Sequence, residues 1–260
     1  SGQHNTGATY AISLSGSTSI TAGTGVTLES LNDNTGTIAL LSSGGIDGGS
    51  GTVLMRAANY AFGGADRTIT TTGVLTIEPD ADENSFASSF DNQYLNPVSV
   101  TGLTLGKSSN ASAITLSRAI SLSGPVSIYG GSIDVNANIT ANSGNILLDA
   151  DTGSTLNQSS TGILLDDVIT IETVTSGNLT LIGRSGDTGS GFDGIDASSA
   201  NTTTLRSAGN LTLQGYSYAA SGSGRGVDLN NDVIAASGTV SMSGQHNTGA
   251  TYAISLSGST

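Results

Sequence analysis

The residues of this 260-residue sequence best suited to chemistry are its carboxylates, and the densest group is Asp80, Asp82 and Glu83, with the amide of Asn84 beside them and Asp91 following. Counted from Asp80, side-chain oxygens of Asp80, Asp82, Asn84 and Asp91 fall at the first, third, fifth and twelfth positions. That is the spacing of an EF-hand-like loop, in which hard oxygen donors wrap a calcium ion. The pattern departs from such a loop at two places. Ser85 stands where the sharp turn needs Gly, and Asp91 stands where a bidentate Glu closes the cage. These four residues are the candidate calcium ligands, and calcium is the single cofactor the sequence offers.

Other acids are spread along the chain: Asp149, Asp151, Asp166, Asp167, Glu172, Asp193 and Asp196. Polysaccharide lyases and hydrolases use clustered carboxylates beside Arg or Lys. Here the acids lie in turn-like stretches such as DADTGS and FDGIDAS, where Asp accepts backbone N–H groups. A Ser–His–acid centre needs a base next to an activated hydroxyl. The two histidines, His4 and His246, occupy the same polar loop, GQHNTGA, and no Ser sits in a nucleophile elbow. Thr70, Thr71 and Thr72, with Thr202, Thr203 and Thr204, do not recur at the even spacing of a flat ice-binding array. The reading is that of a chain with no catalytic residue and no enzymatic activity.

Composition restricts the partners. The formal charge is −13, from 20 acidic and 7 basic residues, so nothing supplies the basic clusters that neutralise phosphate in nucleic acid. Cys is absent, which removes disulfide scaffolds, thiol catalysis and Cys-ligated zinc. No apolar run approaches the length of a membrane span, and no signal-peptide pattern opens the sequence. The expectation is an internal segment of an exported protein, extracellular or at a cell surface, that does not enter a membrane.

The elements that must position these residues are short strands. Helical periodicity is interrupted everywhere by the 37 Gly and by β-branched residues. A Gly followed by alternating apolar positions recurs instead: GTIAL at Gly36, GTVLM at Gly51, GVLTI at Gly73, GPVSI at Gly124, GNILL at Gly144, GNLTL at Gly177 and Gly209, and GTVSM at Gly238. Alternation sends Leu211 and Leu213 to one face and Thr212 to the other. From Gly124 onward the steps are 20, 33, 32 and 29 residues, too long for a hairpin meander. Two further apolar pairs fit in each interval, so the pattern predicts an all-β fold: a parallel β-helix, or β-solenoid, with about three short strands per coil. Residues 80–97, rich in acids and carrying Phe86, Phe90 and Tyr94, break the rhythm and are expected as a loop extruded from the coil.

Residues 243–260 repeat residues 1–18 without a difference, so a unit of 242 residues recurs. The expectation is one continuous solenoid segment over 1–260, cut from a tandem array, with about eight to ten coils per unit.

The stretches GNLTL, GNILLDAD, GVDLNNDVIAASG and ITLSRAISLSGPVSIYGGSIDVNANITANSGNILLDAD resemble the repeat regions of filamentous haemagglutinin-like adhesins, most clearly over residues 102–238. The resemblance implies a very large bacterial surface protein, commonly exported by two-partner secretion, whose shaft is a right-handed parallel β-helix of tandem repeats. The expected function is therefore structural: a shaft of an extracellular filament or adhesin that mediates surface attachment or cell–cell contact. Its partners would be identical repeats in series, laterally associated copies, and a glycan or protein on a host or neighbouring cell. The alternative is a solenoid that binds or processes carbohydrate.

Overall fold

The computed structural model describes residues 10–30, 35–41, 45–63, 66–97, 99–150, 160–166, 168–197, 202–230, 232–246 and 252–257. Every strand pairing among them is parallel, and the strands follow one another in groups of three. The first three coils are β1 (Ile12–Leu14), β2 (Ile20–Thr21) and β3 (Val26–Glu29); β4 (Thr37–Leu40), β5 (Ile46–Asp47) and β6 (Val53–Arg56); β7 (Asn59–Phe62), β8 (Arg67–Thr70) and β9 (Val74–Glu78). The next three are β10 (Phe90–Asp91), β11 (Leu95–Pro97) and β12 (Gly102–Leu105); β13 (Ile114–Leu116), β14 (Ile120–Leu122) and β15 (Val126–Gly130); β16 (Ile133–Val135), β17 (Ile139–Ser143) and β18 (Ile146–Ala150). Then come β19 (Ile163–Leu165), β20 (Thr170–Ser176) and β21 (Leu179–Arg184); β22 (Ile195–Ala197), β23 (Thr204–Ser207) and β24 (Leu211–Tyr216); β25 (Val227–Asn230), β26 (Val233–Ala236) and β27 (Val240–Gln245). β28 (Ile254–Ser257) opens a tenth coil. The chain is a parallel β-solenoid of three strands per coil, as the strand periodicity predicts.

The third face is one nine-stranded sheet running from β3 to β27. Its register explains the core. Val26, Val53, Leu75, Leu103, Val126, Ile146, Leu179, Leu211 and Val240 form one inward column. Leu28, Met55, Ile77, Leu105, Ile128, Leu148, Leu181, Leu213 and Met242 form the next. Most of these side chains are wholly buried. At roughly 1.5–3 kcal/mol for each fully buried aliphatic side chain, stacking such columns supplies the driving force that a chain with few aromatics lacks elsewhere.

The corner before the third face has its own column. Asn145 Oδ1 accepts the N–H of Asn178 at 2.8 Å, Asn178 Oδ1 that of Asn210 at 2.8 Å, and Asn210 Oδ1 that of Thr239 at 2.9 Å. The Gly before each of the last three positions continues the backbone ladder: Gly209 N–H donates to Gly177 O, and Gly238 N–H to Gly209 O. The recurrent Gly-Asn pair is thus a corner device, since a side-chain amide pairs a backbone donor where the strand has not yet begun.

The other two faces are each interrupted once. The first-face sheet β1–β4–β7 is separate from β10–β13–β16–β19–β22–β25–β28, and the second-face sheet β2–β5–β8–β11 from β14–β17–β20–β23–β26. At the first break, Tyr60, Phe62, Phe86 and Phe90 pack with ring centroids 5.5–6.2 Å apart. Four rings are wider than the aliphatic pairs of other coils, so β7 and β10 are spread apart. Residues 80–97 therefore do not leave the coil as a single extruded loop. Irregular backbone through residue 89 leads into β10 and β11, and Phe86, Phe90 and Leu95 are buried. The physical reason is that these apolar side chains fill the space the break opens. At the second break Asn92 bridges the coils, its Nδ2 donating to Arg118 O and its Oδ1 accepting from Arg118 N–H, both at 2.9 Å.

Candidate functional site

The sequence-predicted calcium ligands are not gathered. Asp80 is buried at the corner after β9, with Oδ1 accepting the N–H of Ala81 at 2.6 Å. Asp82 and Asn84 are exposed, and Asn84 uses its carbonyl to accept from Ser109. Asp91 lies on β10, exposed, and its Oδ1 accepts the N–H of Gln93 at 2.9 Å. Asp80, Asp82 and Asp91 do not form a convergent carboxylate group among the described residues. Each carboxylate that accepts a neighbouring N–H is locally satisfied, which is what turn-forming Asp does.

The remaining acids divide by surroundings. Asp149 pairs with Arg184 at 3.0 Å, and the Arg184 guanidinium lies 5.6 Å from the centre of the Tyr216 ring. Burial pushes the Asp149 carboxyl up, partly offset by Arg184. Glu172 stands in register with Arg206, and Asp166 is exposed. Asp151, Asp167 and His4 lie outside the described residues, and His246 is exposed. Thr71 and Thr203 are buried, so neither row presents a flat hydroxyl surface.

Asp193 and Asp196 do converge, together with Asp228, which the sequence reading did not single out. Carboxylate oxygens of the three lie within 4.8 Å of one another. The fold brings this about simply: Asp196 on β22 and Asp228 on β25 are register partners on the first face, and Asp193 sits in the turn just before β22. Like charges directly opposite across a ladder repel. Arg225 answers part of this, its Nη1 pairing with Asp228 and its backbone N–H donating to Asp193 Oδ1. Burial, and then the Asp196 and Asp228 charges, raise the Asp193 carboxyl to about 7, against the N–H bond from Arg225. Chemically the group can hold a proton or a hard cation. It is closed to a polymeric substrate, because Asp193 is 7% and Asp228 3% exposed. The missed residue had a signal: Gly194-Ile195-Asp196 and Gly226-Val227-Asp228 are 32 residues apart, the same step as Gly177 to Gly209.

The cavity at the aromatic cluster, beside Asn59, Ser88 and Asp91, holds only about 30 Å³, too little for a sugar ring. A larger opening of about 190 Å³ lies at the C-terminal end of the stack, lined by Leu229, Asp232, Ile234, Met242, Leu256 and Ser257. There the solenoid interior meets solvent: Leu256 is 66% and Val240 42% exposed. β28 covers only the first of the three faces, pairing Ile254 with Val227 and Leu256 with Leu229. Residues 254–257 repeat residues 12–15, so β28 holds in the tenth coil the place that β1 holds in the first. One unit of 242 residues thus spans nine coils, about 27 residues each. No protein-family model, no curated protein and no solved structure matches this chain.

Proposed function

We propose that this chain is a shaft segment of an extracellular filament or adhesin, built of identical units in series, whose role is mechanical reach toward a surface or a neighbouring cell. The observation that supports this reading is the whole number of coils per unit. A sequence repeat of nine coils brings the strand that starts the next unit onto the same face, in the same register, as the strand that started the first. Any fractional count would rotate the join and break all three sheets. Such a rod needs no reacting group, and the burial of Asp193 and Asp228 suits a structural cluster better than a glycosidic one. The formal charge of −13 keeps neighbouring shafts apart and soluble. Imaging of a polypeptide carrying several units tests the reading. The expected image is a thin rod lengthening by about 43 Å per unit, nine strand spacings of about 4.8 Å. Beads separated by flexible joints would sink it.

A further inference from the structure

We propose that the second face of the solenoid, across β17, β20, β23 and β26, is a docking surface for a second copy of this chain, laid antiparallel about a two-fold axis that runs along the strands between β20 and β23. The proposal concerns the flank of a single unit and goes beyond the shaft reading, which concerns units in series.

The first observation is a spare pair of charges. Glu172 on β20 and Arg206 on β23 are register partners in the middle of this face. Among the described residues neither closes an ion pair, although the other six basic side chains of the sequence each hold a carboxylate or a backbone carbonyl. The two-fold axis between their strands sets Glu172 of each copy over Arg206 of the other, so one sequence supplies both halves of two ion pairs. The remaining outward residues of β17, β20, β23 and β26 are uncharged. This patch therefore has no net charge, while the formal charge of −13 repels copies that approach by other faces.

The second observation is shape. β20 carries one residue more than β17 between their last paired positions, and Val174 in this bulge is 50% exposed. From the last inward residue of the second face to the first of the third, the chain takes six steps after Thr173 but four after Ser207 and four after Ala236. The coil of β20 therefore stands out as a ridge, and beside it the next two coils leave a recess of about 410 Å³ that includes Ala208, Ala236 and Ser237. Ala22 to Val26 is again four steps, so the coil that opens a following unit continues the recess. The same two-fold axis sets Val174 of each copy over Ala208 of the other, and Thr140 over Ala235. Ridge meets recess in the register at which the charges match, across the roughly 10 Å that separates facing sheets. The ten-residue loops 185–194 and 217–226 leave the coil at the corner between the third and first faces, clear of this approach.

Charge reversal tests the proposal. Sedimentation velocity of the 260-residue chain over roughly 10–300 µM, the range of weak association, should show a reversible dimer. Glu172→Arg and Arg206→Glu should each weaken that dimer at least tenfold, because each sets like charges opposite one another at both sites. Circular dichroism and melting temperature should stay those of the unmodified chain. An equimolar mixture of the two variants should restore the dimer, since each then meets its complement. Ala208→Trp fills the recess without touching a charge and should also weaken the dimer at least tenfold. A chain that stays monomeric across the range, a dimer that either reversal leaves intact, or a mixture no more associated than the separate variants overturns the proposal. In a polypeptide of two units the contact recurs after nine coils on both copies, so its dimer should be at least tenfold tighter. If two units scatter as jointed bodies while the one-unit dimer persists, the shaft reading falls and this one stands; a straight two-unit rod with no dimer at either length has the opposite meaning.

Discussion

Asp193 carries a carboxyl whose folded-state pKa, about 7, lies well above the ordinary 3.8. The folded chain therefore binds more protons than the unfolded one between about pH 4 and 7, and stability falls as pH rises through that window and levels off above it. Asp193→Asn keeps an oxygen to accept the Arg225 N–H and removes the charge. Its expected effect is a gain on the order of 3 kcal/mol at pH 8, little change at pH 4, and a flatter pH profile, read by denaturant titration at each pH. Gly177 illustrates the opposite sensitivity. Its φ of +109° and a position where an added Cβ would stand 1.9 Å from Gly144 O leave no room for a side chain. Gly177→Ala should cost at least about 2 kcal/mol, whereas Gly16→Ala, with φ +65° but open space around it, should cost about 1 kcal/mol. Thermal unfolding of the two variants side by side checks the contrast.

At the scale of elements, the corner and the break are the features to test. The Asn145, Asn178 and Asn210 column pairs one backbone N–H per coil through side chains on the exposed edge. Asn178→Ala should cost about 0.5–1.5 kcal/mol, and Asn178→Asp, which retains the acceptor, should recover most of it in denaturant melts. The aromatic break is held more strongly. The single Tyr60 hydroxyl proton is shared between Met55 O and Glu78 O, both 2.8 Å from the phenol oxygen, and burial pushes the phenol well above the usual range. Phe86→Ala removes the buried ring that stacks on Phe90 and meets Tyr60 edge-on, and should cost about 3–5 kcal/mol, measurable as a lower denaturant midpoint. The exposure of Asp82 and Asp91 fits the acidic loop expected of residues 80–97, but the burial of Asp80 and the inward turn of Phe86 and Phe90 were not legible. Nothing in a local pattern tells that a ladder three coils long stops there and that rings fill the gap.

For the whole molecule, stability is close to a sum over coils and their nearest-neighbour contacts, with a penalty at each open end. Two units in one polypeptide share a single pair of ends. Calorimetry should show a higher melting temperature for two units than for one, because a smaller fraction of strands has an unpaired edge; equal values would mean that the units melt independently.

The sequence by itself determined the strand class, the three strands per coil and the 242-residue period, because each rests on spacing: alternation by two along a strand, a glycine at a fixed corner, and identity between residues 1–18 and 243–260. Tertiary structure decided which coils stack on which. It set the count at nine, left the carboxylates of Asp80, Asp82 and Asp91 unconverged, and brought Asp193, Asp196 and Asp228 together. The physical reason is that a solenoid's neighbours are about one coil apart in sequence, and coil lengths here vary. Contacts between coils depend on the running sum of those lengths, which local periodicity leaves open and the register of stacked strands fixes.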